Sequence, residues 1–83
     1  MQITLTLRGM LAECLPPGTG RYSRPVEVAD DATIATVLTH FHVPKELVHL
    51  VLVNGVHFRQ EQFDTTLLHA QDTLAIWPPL SGG

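Results

Sequence analysis

This chain has little of what many functional classes require. Its single cysteine, Cys14, rules out an intramolecular disulfide and a thiolate cage for zinc or an iron–sulfur cluster. Basic residues are scarce and scattered. Arg8, Arg21, Arg24, Lys45 and Arg59 form no run, and the formal charge is −3. Nucleic acid is therefore not an expected partner, because phosphate binding needs clustered positive charge. No apolar stretch approaches the ~20 residues of a membrane-spanning helix, and the start has no secretory apolar region. No membrane association is expected, and a reducing cytoplasm is the expected location. There are no repeats or low-complexity segments, and 83 residues suit one domain with one modest core.

What is present is strong periodicity. In "QITLTLR" (residues 2–8), Ile3, Leu5 and Leu7 share one face and Gln2, Thr4, Thr6 and Arg8 the other, the pattern of a half-buried strand. "GMLAECL" places Met10, Leu11, Cys14 and Leu15 at helical spacing over one or two turns. "PPGTGRYSRP" reads as a surface loop, and Val26–Ala29 as a short second strand. Asp30 and Asp31 precede Thr33, a helix N-cap candidate, and their charge suits a helix start. Ile34, Val37, Leu38 and Phe41 fall at i, i+3, i+4 and i+7, so a helix is expected over Thr33–His42, stopping before Pro44. Leu50–Val53 is a continuous apolar strand. Asn54-Gly55 then makes a tight hairpin into "VHF", since both turn positions demand positive φ. "TTLLHAQD" reads as turn, and Thr73–Trp77 as the last strand, stopped by Pro78 and Pro79. This order is α+β: a mixed sheet of four or five strands with one main helix packed on one face. The expected core is Ile3, Leu5, Leu7, Val26, Val28, Ile34, Val37, Leu38, Phe41, Leu74 and Ile76.

The most pointed feature is the end, "WPPLSGG". Gly82 and Gly83 have no side chains, so they can thread a channel only as wide as a backbone. The α-carboxylate at Gly83 is the distinctive reactive group. Four extended residues after Pro79 reach about 13 to 14 Å, far enough to enter another protein's active site. Pro78-Pro79 favours a stiff extended arm and lowers the entropy lost on insertion. The expectation is a single domain over residues 1–79 and a flexible Gly-Gly tail over 80–83; the bland reading of such a tail is a frayed end.

"LVNG" in a hairpin, a strand beginning near Asp72, the closing "AIWPPLSGG" and the helix after "VEVADDATIATVL" together resemble the MoaD/ThiS family of ubiquitin-like sulfur carriers. The resemblance covers most of the chain and implies the β-grasp fold. It also implies that a ubiquitin-activating-type adenylyltransferase uses ATP to adenylate the Gly83 carboxylate. Sulfur then displaces AMP, and the resulting thiocarboxylate donates sulfur in cofactor biosynthesis. The carrier itself binds no cofactor and is not catalytic alone. The double proline and the length look most like the small subunit of molybdopterin synthase, which implies that enzyme's large subunit as partner. "LTLRGML" departs from the "FFAR"-like stretch usual after the first strand of that type. A carrier for thiamin or another pathway, a ubiquitin-like protein modifier, or a non-transferring β-grasp interaction module therefore remain alternative readings.

Trp77 has the parity opposite to Leu74 and Ile76, so it faces the uncovered side of the sheet if they face the helix. A large aromatic beside the tail suits an interface anchor, and with Pro78, Pro79, Leu80 and Ser81 it forms the expected partner-binding segment. The other reading packs Trp77 under the loop of residues 16–25. Leu50–Val53 must also place an apolar pair on the outer face. No metal site is expected. His40 and His42 diverge by about 200° on a helix, and His49, His57 and His69 lie in separate elements. Cys14 suits core packing. Arg21, Tyr22 and Arg24 belong to a solvated loop able to meet a partner.

Overall fold

The computed structural model describes residues 1–80. The alternation in the first segment produces β1 (Gln2–Leu7), with Ile3, Leu5 and Leu7 buried. The chain then closes a 3₁₀ turn, Gly9–Cys14, which buries Leu11 and leaves Met10 exposed. Cys14 is half-buried and packs against the core. Strand β2 (Ser23–Glu27) begins earlier than its apolar residues suggest, because Ser23, Arg24 and Pro25 pair with Thr6, Leu5 and Thr4 of β1. The Leu7 N–H donates to the Tyr22 carbonyl and the Val28 N–H to the Met1 carbonyl, both at 2.8 Å. The hydrogen-bonded positions of β2 thus alternate with that of Pro25, which lies opposite Thr4. Pro25 lies between them, where its missing N–H falls on the open edge and blunts it against further strand pairing.

The helix α1 (Ile34–His40) is shorter than expected by one or two residues at each end. Thr33 caps it as the sequence indicates: the Thr36 N–H donates to Thr33 Oγ1 at 3.2 Å and the Thr33 N–H donates to Thr36 Oγ1 at 2.9 Å. The remaining free N–H groups of the first turn find partners in a distant segment. Ile34 donates to the Thr66 carbonyl and Ala35 to the Phe63 carbonyl. That segment is held in place by buried Leu68, whose N–H donates to the Ala32 carbonyl at 2.9 Å. The expected turn around residues 65–72 thus also serves as a cap for the helix. Asp30 does not act at the helix start; it pairs with the Met1 ammonium at 3.0 Å.

Strands β3 (Leu50–Val53) and β4 (Val56–Phe58) form the Asn54-Gly55 hairpin, with φ of 50° and 83° at the two turn residues. The Asn54 side chain donates to Asp72 at 2.8 Å and accepts from the Thr73 N–H at 2.9 Å. These bonds tie the hairpin to the start of β5 (Thr73–Trp77). The five strands lie in the order β2-β1-β5-β3-β4, with β5 parallel to β1 and antiparallel to β3. This is the β-grasp arrangement. The core is the expected set enlarged by Leu11, Ala32, Val43, Val51, Val53 and Leu68, while Val28 and Phe41 only pack at its margin. Among the described residues no helix is long and apolar enough to cross a membrane.

Candidate functional site

β5 is the central strand, and its register decides where the chain leaves the domain. Leu74 and Ile76 are fully buried toward the helix side; Trp77 is half-buried on the other face, opposite Leu50 of β3. Parity therefore places Trp77 on the open face, as its sequence position suggests. The ladder ends at this residue. The His49 N–H donates to the Trp77 carbonyl at 2.9 Å, the Arg8 N–H donates to the Ile76 carbonyl at 3.0 Å, and Pro78 has no N–H with which to continue. Pro78 is half-buried, Pro79 is exposed and Leu80 is 89% exposed. Ser81, Gly82 and Gly83 lie outside the described residues.

Around this exit the open face carries a compact group of aromatic, aliphatic and cationic side chains. The Arg8 guanidinium lies 4.5 Å from the Tyr22 ring centre and 5.9 Å from that of Trp77; Arg21 lies 5.3 Å from Tyr22. Each contact is worth about 0.5–1 kcal/mol at an exposed site. Among the described residues neither Arg8 nor Arg21 makes an ion pair. Leu50 and Leu52 are half-buried beside Trp77 and Ala75 and extend the apolar surface. Trp77 thus meets Arg8, which also lies over Tyr22 of the 16–25 loop. That loop is organised from within: Arg24 donates to the carbonyls of Pro16, Thr19, Gly20 and Ser23. Arg24 is consequently a structural residue of the loop, whereas Arg21 and Tyr22 belong to the exit.

Two residues of this site escaped the sequence reading, Arg8 and Gly9. Their signal was present as a glycine directly after a strand, a position that often marks a turn needing positive φ. Gly9 has φ of +54° and lies against the Pro78 ring. The five histidines are not brought together: among the described residues no group of three His, Cys, Asp or Glu could hold a metal ion. A cleft of about 420 Å³ opens elsewhere, between α1 and β4, over Leu38, Val43, Phe58 and Phe63 with Lys45 and Arg59 at its rim. It belongs to the helix side of the molecule and is separate from the exit.

The family model for the ThiS family matches residues 9–83. The chain belongs to the ThiS family. Its members are ubiquitin-like sulfur carriers, and the fold just described agrees with theirs. SAMP1 from Haloferax volcanii superposes with a TM-score of 0.68 at 26% identity, covering 100% of both chains. The HVO 2177 protein from the same organism gives a TM-score of 0.76 at 25% identity, covering 100% of this chain and 87% of that one. A thiamine biosynthesis protein, ThiS, from Geobacter metallireducens shares the fold with a TM-score of 0.62 at 23% identity, covering 96% of this chain and 99% of that one. No curated protein matches the chain in sequence.

Proposed function

We propose that this ThiS-family chain works through the carboxylate of Gly83. A ubiquitin-activating-type adenylyltransferase consumes ATP and places AMP on that carboxylate. A sulfur nucleophile then displaces AMP and leaves a thiocarboxylate. Activation is needed because oxide is a poor leaving group and AMP a good one. The carrier supplies a docking face and an arm, and holds no cofactor of its own. The observation that carries this reading is the exit of the central strand. Pro78, Pro79 and an 89% exposed Leu80 lead the chain off the sheet beside Trp77, and the family match continues through residue 83.

Trp77, Pro78, Pro79, Leu80 and Ser81 form the segment offered to partners in this reading, with Gly82 and Gly83 entering the partner's active site. The acceptor that fits the Pro78-Pro79 pair best is the large subunit of molybdopterin synthase, this chain being the small subunit. The ubiquitin-like β-grasp sheet supports a ubiquitin-like protein modifier as the second reading.

The test is intact-mass measurement after incubation with the activating enzyme, ATP and a sulfur donor. The expected product has one carboxylate oxygen replaced by sulfur at Gly83. Appending one alanine moves the attacked carboxylate by about 3.5 Å and is expected to abolish activation without changing the melting temperature. Equal activation of native and extended chains would overturn the proposal. Transfer of the sulfur to a substrate held by the large subunit, or of the chain to protein lysines, separates the two acceptors.

A further inference from the structure

Gly9 and Pro78 come from opposite ends of the sequence and meet where the tail leaves the sheet. A Cβ built on Gly9 would lie 3.0 Å from Pro78 Cγ and 3.6 Å from Pro78 Cδ. The first distance is well inside the ~3.5–4.0 Å of an ordinary carbon–carbon contact. Gly9 also has φ of +54°, a conformation that L-residues with a side chain adopt at a cost. The glycine therefore serves two separate needs, the turn out of β1 and the seat of the proline ring.

The second need has a consequence for the tail. A flexible side chain at position 78 would swing away from an added methyl group, but a proline ring is closed onto its own backbone and fixes φ. Upstream, Trp77 is restricted by the proline after it, and β5 is paired with β1 on one side and β3 on the other. Displacement of the ring must therefore pass downstream, into Pro79 and Leu80. A tilt of about 10° at Pro78 displaces the far end of Pro79-Leu80, an extended span of about 6 Å, by about 1 Å. A misplacement of about 1 Å at a reacting centre is enough to cost about 100-fold in rate.

We infer that Gly9 is a positioning residue for the C-terminal arm: it seats Pro78 against bare backbone and so sets the direction in which the tail leaves the domain. This rests on the carrier reading above only for its catalytic readout. The test is a comparison of the full chain with Gly9→Ala and with a chemically ligated chain carrying D-alanine at position 9. D-alanine accepts positive φ and carries its methyl group at the other Cα hydrogen position, not the one that faces Pro78, so it is expected to keep the seat. Steady-state activation by the adenylyltransferase is expected to show kcat lowered about tenfold or more for Gly9→Ala, with KM for the carrier within about twofold of native. The D-alanine chain should behave as native. The second readout is the residual dipolar coupling of the Leu80 N–H relative to those of β5, which Gly9→Ala should change and D-alanine should not. A raised KM with unchanged kcat would make Gly9 part of the docking face and overturn the inference, as would native kcat in Gly9→Ala. If the native chain itself is not activated, the carrier reading fails, and the Leu80 coupling decides the positioning role alone: an unmoved coupling overturns it.

Discussion

The two faces of the sheet carry different kinds of residue on the same strands. Toward the helix, Ile3, Leu5, Leu7, Val51, Leu74 and Ile76 are at most 1% exposed. On the open face the same strands present Thr4, Thr6, Thr73, Ala75, Leu50, Leu52 and Trp77, all partly exposed. The open face is also graded along its length. Thr4 pairs with Thr73 toward the Met1 end, whereas Leu50 pairs with Trp77 toward the tail end. The closed face holds the domain together, and the apolar half of the open face sits where the chain leaves it. In the proposed function, stability and function are thus separated by the thickness of one sheet, and substitutions on the two sides should be read by different instruments.

The largest expected effect lies on the closed face. Leu74→Ala removes a fully buried side chain from the central strand, between Leu5 and Val53, and should lower unfolding free energy by about 2–5 kcal/mol. In a domain whose whole stability is on the order of 5–10 kcal/mol, chemical denaturation will detect this easily. Activation measured on the fraction that remains folded should be native. A folded Leu74→Ala chain with impaired activation would show that the two faces are not independent.

Trp77→Ala inverts that pattern. It should weaken binding to the activating enzyme by about 2 kcal/mol, roughly 30-fold in Kd, with a smaller loss of stability than Leu74→Ala causes. Titration calorimetry beside a melting curve makes the comparison. Unchanged affinity with a large drop in melting temperature would assign Trp77 to the core.

This division was largely legible in the sequence, because strand parity is a local property. The alternation Ile3-Leu5-Leu7 and the opposite parity of Trp77 to Leu74 and Ile76 are enough to sort the faces. The hairpin was equally legible, since Asn54-Gly55 specifies its own backbone geometry. What local pattern does not hold is contact between distant segments. Leu68 is buried and Thr66 and Phe63 supply carbonyls to the helix start, yet their neighbourhood reads only as turn. Strand β2 begins at Ser23 because it lies against β1, although Ser23-Arg24-Pro25 has no strand propensity of its own. The seat of Pro78 on Gly9 is of the same kind. The two residues are joined only through the parallel pairing of β1 with β5, which no short window reveals.

The smallest expected effect lies at the end of the sheet farthest from the tail, and it sharpens the comparison along the strands. The Met1 ammonium donates to Asp30 at 3.0 Å and to the Val28 carbonyl at 2.7 Å, and lies 3.6 Å from Glu27. The hydrogen bond to Asp30 is the main reason its pKa is raised; burial opposes it, and the charges of Asp30 and Glu27 add to the rise. An unfolded chain holds its terminal ammonium with a pKa of about 7.7–8.0. The folded state therefore binds the proton more tightly, and the stabilisation is complete below the unfolded value and lost as pH rises through the raised, folded one. Urea unfolding at a series of pH values from neutral upward should show stability declining from about pH 8. Nα-acetylation, which removes the titrating amine, should take away that part of the decline and leave whatever other groups contribute. Both proteins should be activated at the same rate at neutral pH, because the pair sits at the Thr4–Thr73 end of β1 and β5 while the arm departs from the Leu7–Ile76 end. Identical pH profiles for the free and acetylated chains would mean that the ammonium makes no net contribution. A loss of activation on acetylation would mean that the far end of the sheet communicates with the tail, and the division along the open face would have to be redrawn.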